Sequence, residues 1–127
     1  MKNNANVAQD WLKKAESDFA NADLCISNAK ALDTACFHCQ QTAEKSLKAW
    51  LILRGETFPR THDLIALVEL CAESQPKFNQ LSTDADSLNP YAVTGRYAED
   101  FWPSIDEAQT ALEQARRIYE FVKAHWT

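Results

Sequence analysis

Glycine and proline are scarce in this chain, 2 and 4 among 127 residues. A fold of many short strands needs turn residues at almost every reversal, so this scarcity argues against one and for long helices. Long apolar runs are missing too. No stretch approaches the roughly 18 apolar residues that cross a bilayer, and Met1 to Asp10 holds one lysine but no apolar leader core. The chain therefore reads as cytoplasmic, with no membrane association. Positive charge is in deficit: 13 Lys and Arg stand against 18 Asp and Glu, a formal net charge of −5. The field of such a protein repels a polyanion, so any nucleic-acid contact has to be local. The Gly-rich phosphate loop, the Gly-x-Ser-x-Gly elbow and His-Glu-x-x-His are all absent, and with them the strongest sequence marks of hydrolysis.

The composition that remains is 46% apolar and 24% charged, too hydrophobic for a disordered chain. The length suits a single domain over residues 1–127. Charge is unevenly spread. Between residues 30 and 60, Lys30, Lys45, Lys48, Arg54 and Arg60 outnumber Asp33, Glu44 and Glu56, a net of +2. Between residues 61 and 113, Lys77 and Arg96 face ten carboxylates, a net of −8. Arg96 is thus an isolated cation, suited to pairing with a carboxylate or to holding an anion. The cysteines, Cys25, Cys36, Cys39 and Cys71, sit inside amphipathic runs, as small buried hydrophobes do, and reduced thiols are expected. Cys36-Phe37-His38-Cys39 has the gap of a zinc half-site, but no second pair follows it. Core packing is the expectation there, with no metal and no cofactor.

Apolar residues recur at three- and four-residue steps from Val7 to Asn28, through Trp11, Ala15, Ala22, Ile26 and Ala29 with Phe19 beside them. That spacing predicts a first long helix. Asp33 is placed to cap a second, running to Arg54 and ending at Gly55, with a stripe of Cys36, Cys39, Ala43, Leu47, Trp50 and Leu51. After a loop around Pro59, Thr61 is the expected acceptor at the start of a shorter helix carrying Leu64, Ile65, Leu67, Val68 and Cys71. Ser74 and Pro76 open another segment. The pattern then weakens: Phe78 and Leu81 suggest a turn or two, and Leu88, Tyr91 and Val93 lead into an irregular stretch around Gly95. The last helix is the clearest, because Pro103 and the Ser104-x-x-Glu107 capping box precede Ile105, Ala108, Leu112, Ala115, Tyr119, Val122 and Trp126. The expected fold is all-α, an up-and-down helical bundle of three long helices plus one or two short ones.

At 100° per residue, Gln41, Lys45 and Lys48 share one flank of the second helix, with Glu44 between that flank and the core stripe. Two ammonium groups beside an amide can hold a phosphate, and the same pattern is also what a solvated helix face shows. His62 follows Arg60-Thr61 at a helix start, where its ring serves either as an acid or base or as a hydrogen-bonded structural group.

Taken in order, Trp11-Leu12-x-x-Ala15-x-x-Asp18, the block from Phe37 through Gln41, Glu44, Lys45 and Lys48 to Ala49, Pro59-Arg60-Thr61-His62-Asp63-Leu64 and Gly95-Arg96-Tyr97 resemble the HEPN domain, a nucleotide-binding family of higher eukaryotes and prokaryotes. The resemblance spans nearly the whole chain. It implies a helical bundle that pairs as a homodimer and works beside a small nucleotidyltransferase, in a toxin–antitoxin-like context. One branch of the family consists of RNases whose site holds an Arg, four to six residues, then a His. This chain departs from that pattern: His62 and His125 each fall eight positions after an arginine, Arg54 and Arg117, one residue beyond the window. Without that His the best proton acceptor near a ribose 2′-hydroxyl is lost, so no catalytic residue is assigned. The resemblance points instead to the accessory branch, with Gln41, Lys45, Lys48, His62, Arg96 and Tyr97 as the ligand-binding groove. There the Arg would act as a phosphate fork and the Tyr as a stacking surface, and RNA contact stays open. A buried network of Glu44, His62 and Arg96 is the structural alternative for part of that set. Two alternatives stand for the whole chain: a homodimeric helical assembly protein without ligand, with Trp102, Trp126 and the Ile105 to Trp126 seam as the dimer contact, and a weak metal-independent RNase that uses His62 and Arg96 despite the missing spacing.

Overall fold

Five α-helices make up the bundle in the computed structural model, which describes residues 3–92 and 101–127. They are α1 (Asn4–Ser27), α2 (Leu32–Leu53), α3 (Leu64–Ser74), α4 (Ser82–Leu88) and α5 (Ile105–Ala124). Two 3-10 turns, Pro76–Leu81 and Asn89–Tyr91, flank α4. No strand occurs among the described residues. Three long helices with two short ones match the architecture expected from periodicity.

α1 starts ahead of the predicted Val7 because the Asn3 side chain accepts from the Asn6 N–H at 2.9 Å and caps the helix. Its buried face is Ala8, Leu12, Ala15, Asp18, Ala22 and Ile26. Leu12 therefore fills the core where Trp11 was expected, Trp11 and Phe19 pack half-buried at its edge, and Ala29 is exposed. Ala8, Ala15 and Ala22 recur every seventh residue and let α2 approach closely. The Thr42 hydroxyl, on α2, reaches the Ala15 carbonyl across that seam at 3.2 Å.

The reversal between α1 and α2 is tight. Ala29 N–H bonds the Ile26 carbonyl at 3.0 Å and Lys30 N–H bonds the Cys25 carbonyl at 2.9 Å, a Schellman ending with alanine where glycine is usual. Ala29 and Ala31 have φ of 52° and 49°. This geometry overturns the expected Asp33 cap. Ala31 occupies the cap position with no side-chain acceptor, and Asp33 lies inside the first turn, where its charge still faces the positive helix end. Ala29→Gly is expected to stabilise the protein by about 0.5–1 kcal/mol, the left-handed penalty less the extra freedom of glycine when unfolded. The urea midpoint would rise at constant slope; an unchanged midpoint would show that Ala29 carries no strain.

At the other end of α2 the sequence reading holds: Gly55, at φ 72°, closes a second Schellman ending through Ile52 and Leu51. The start of α3 needs a correction. Asp63, not Thr61, is its cap, accepting from Ile65 and Ala66 N–H at 3.0 and 3.4 Å, while Thr61 Oγ1 accepts from Asp63 N–H one step earlier. A carboxylate is favoured over a hydroxyl at the positive helix end. Asn89 donates to the same Asp63 oxygen at 2.9 Å, tying the 3-10 turn after α4 to α3.

α5 carries the predicted capping box, with both the Ser104 and Glu107 side-chain bonds formed. Its apolar face, Ala108, Ala111, Leu112, Ala115, Ile118 and Val122, is buried in the chain's own core. Trp50 of α2 donates its indole N–H to the His125 carbonyl at 2.9 Å, and its ring meets Phe78 at 4.6 Å, which meets Phe121 at 4.9 Å. These rings lock α2, the first 3-10 turn and α5 together. Among the described residues no helix is long and apolar enough to cross a membrane.

Candidate binding face on the second helix

α2 buries five polar side chains: Gln40, Thr42, Glu44, Ser46 and Lys48. Thr42 and Ser46 are satisfied by backbone carbonyls. The other three form a network around one carboxylate. Glu44 Oε2 accepts from the Lys48 ammonium at 3.0 Å, and Oε1 accepts from His62 Nδ1 at 2.9 Å and Gln40 Nε2 at 3.2 Å. Gln40 Nε2 also donates to the His62 carbonyl at 3.1 Å, while Gln41 Nε2 donates to Gln40 Oε1 at 2.7 Å. The side chains of Lys48 and Glu44 are only 8% and 6% exposed, whereas that of His62 is 65% exposed. The ammonium lies 5.9 Å from the Trp11 ring centre and 5.7 Å from that of Phe58. Burial alone would raise the Glu44 carboxyl, but the bonds from His62, Lys48 and Gln40 outweigh it and hold the group below its ordinary range.

A second carboxylate does similar work one helix away. Asp18 of α1 accepts from His38 Nδ1 at 2.8 Å through one oxygen and from the Lys45 ammonium at 2.7 Å through the other. The Asp18 side chain is 11% exposed. Two carboxylates thus each clamp one lysine and one histidine, and both imidazoles spend Nδ1 on the clamp, which leaves Nε2 as the nitrogen for any further partner.

Of the residues singled out from sequence, Gln41, Lys45, Lys48 and His62 share this face of α2 and the loop beside it. Among the described residues, Lys48 and His62 are the basic groups of the buried Glu44 network. Arg96 and Tyr97 lie outside the described residues. Sequence reasoning passed over Asp18, His38 and Gln40 as site members. Their signal was present: Asp18 falls on the buried stripe between Ala15 and Ala22, and a carboxylate there needs a partner. Lys45 also borders a cleft of about 380 Å³ shared with Asp10, Trp11 and Lys14 of α1.

The other candidates serve the fold. Cys36 and Cys39 are fully buried, and burial pushes the Cys36 thiol up to about 12 and raises that of Cys39 as well, so both are held protonated. No cluster of metal-ligating side chains occurs among the described residues. Arg54 donates to the His125 and Thr127 carbonyls, Arg117 forks onto Asp84 with both bonds at 2.9 Å, and His125 Nδ1 bonds the Phe121 carbonyl.

A family model described as the HEPN domain matches residues 8–125. A protein of Methanocaldococcus jannaschii named "Putative toxin MJ1304" is 27% identical over 135 residues, covering 94% of this chain and 88% of that protein. The crystal structure of TT1696 from Thermus thermophilus is similar with a TM-score of 0.80 at 27% identity, over 92% of this chain and 96% of that one. That of ST0689, an archaeal HEPN homologue, is similar over the full length of both chains, with a TM-score of 0.76 at 26% identity. With a family match from the first turns of α1 to the end of α5 and this bundle behind it, the chain belongs to the HEPN domain family.

Proposed function

We propose that this chain is an accessory HEPN domain that pairs with a small nucleotidyltransferase in a toxin–antitoxin-like setting and presents the α2 face to that partner and to the nucleotide it handles. The observation that carries this reading is the preorganisation of that face. His38, Gln41, Lys45 and His62 each reach solvent, and each is held from below by a carboxylate or an amide. Side chains already fixed lose little entropy on binding. The toxin named among the relatives supports the setting. The missing Arg-x(4 to 6)-His spacing favours binding over RNA cleavage, as do Arg54 and Arg117, both occupied by structural contacts. A homodimer belongs to the same reading. Because the α5 stripe is spent inside the chain, its seam would centre on Trp102, which is 74% exposed.

Affinity purification of the lightly tagged protein from its own cells, with mass spectrometry of what survives a salt wash, tests the reading. A small nucleotidyltransferase is expected near one-to-one, with retention weakened by Gln41→Ala and Lys45→Ala. The protein alone as a homodimer, together with cleavage of labelled single-stranded RNA that His62→Ala abolishes, would replace it with the RNase reading.

A further inference from the structure

We propose that the α2 face takes up the phosphate group of its nucleotide together with a proton, because His38 and His62 each present a hydrogen-bond acceptor when neutral and a donor when charged. The inference rests on the accessory-domain reading, which supplies the nucleotide. A carboxylate only accepts hydrogen bonds. Asp18 therefore keeps the hydrogen of His38 on Nδ1, at 2.8 Å, and Glu44 keeps that of His62 on Nδ1, at 2.9 Å. With Nδ1 committed, Nε2 of a neutral ring carries a bare lone pair, which repels a phosphate oxygen, itself an acceptor. One added proton turns the same nitrogen into a charged donor, the stronger kind of phosphate ligand.

The pairing of the two carboxylates points the same way. Asp18 is already balanced by the Lys45 ammonium at 2.7 Å, and Glu44 by that of Lys48 at 3.0 Å. Each clamp is thus neutral with a neutral imidazole and gains a full positive charge when the ring is protonated, in the range of about pH 5 to 8 where histidine is the usual switch. Among the described residues, His38 meets Asp18 from α1, which Lys45 of α2 shares. His62 meets Glu44 of α2, which Lys48 shares, with Arg60 and Asp63 as its charged neighbours in the loop. Asp63 Oδ1 is itself spent on the first N–H groups of α3 and on Asn89. Gln41 links the two clamps: it follows His38 and precedes Lys45 on one stripe of α2, at steps of three and four residues, and its amide bonds Gln40 and approaches Glu44 Oε1 at 3.5 Å.

The test is side-chain NMR of the ¹⁵N-labelled full chain, with His38→Gln and His62→Gln identifying the two rings. Near the top of the histidine range both neutral rings are expected as the Nδ1–H tautomer, and a hydrogen found on Nε2 instead would overturn the proposal. Sulfate is the probe, because it has the tetrahedral oxygens of a phosphate and a charge that stays constant over this range. Its affinity is expected to rise about 5-fold or more from about pH 8 to about pH 5.5, the lower end of couplings between two sites. Saturating sulfate should also raise the titration midpoints of both rings, as binding to the protonated form requires. His125, whose Nδ1 is spent on the Phe121 carbonyl at the end of α5, is the control and should not move. Equal affinity at the two pH values would overturn the proposal, as would no binding at either, or a rise that survives in the double Gln variant. The two readings fail separately: proton-linked sulfate binding without a nucleotidyltransferase in the purification removes only the accessory-domain reading, and a recovered nucleotidyltransferase with a flat sulfate response removes only the proton coupling.

Discussion

Glu44→Ala is expected to lower the unfolding free energy by about 3–5 kcal/mol, because it strands the Lys48 ammonium, 8% exposed, without its counter-charge. The aromatic rings of Trp11 and Phe58 offer that ammonium only weak compensation at 5.7–5.9 Å. Lys48→Met alone should cost much less, since Glu44 keeps its bonds from His62 and Gln40. The double variant Glu44→Leu with Lys48→Met should recover most of the loss, as apolar replacements of whole buried pairs do. Urea unfolding of the four proteins checks the set, and a Glu44→Ala loss below about 1 kcal/mol would mean that Lys48 finds water in its place. Acid supplies a second check. The folded Glu44 carboxyl titrates below its unfolded value of about 4.5, so its stabilisation is complete above that value and is lost as pH falls through the lower folded one. Glu44→Gln should flatten that part of the acid limb of the stability curve. An acid limb unchanged by the substitution would remove Glu44 from the account.

Trp50→Ala is expected to cost about 3–5 kcal/mol, the range for truncating a buried aromatic side chain. Trp50 is 1% exposed and touches Phe78, while the Arg54 guanidinium covers its ring at 4.7 Å. Trp50→Phe retains most of the burial and drops only the indole bond to the His125 carbonyl, a loss of about 1 kcal/mol because Arg54 also donates to that oxygen at 3.3 Å. The effect reaches the binding face through geometry. Trp50 projects from nearly the opposite side of α2 to Lys48, so anchoring its ring fixes the roll of the helix and with it the direction of Gln41 and Lys45. Calorimetry measures the stability of both variants. A loss below about 1 kcal/mol in Trp50→Ala would show that the α2–α5 base repacks without it.

Helix positions were legible because their signals are local. Period-3.6 apolar spacing, the Ser104–Glu107 box and Gly55 at a left-handed ending act within a few residues of chain. The caps that failed were also local readings: at α3 two acceptors competed and Asp63 displaced Thr61, whereas at α2 the left-handed Ala29–Ala31 reversal left Asp33 inside the helix. The candidate face was legible in part. Gln41, Lys45, Lys48 and His62 do come together, yet the flank pattern made Lys45 and Lys48 equivalent, and they are not. Asp18, 27 positions before Lys45 in the chain, clamps one; Trp11 and Phe58 cover the other. Periodicity orients a side chain relative to its own helix and carries no information about which other segment covers it. The all-α bundle and its family were readable along the chain. Which cations are buried, which histidines are oriented and where a cleft opens depended on how α1 and the α2–α3 loop pack on α2, since burial and pairing are properties of segments far apart in sequence.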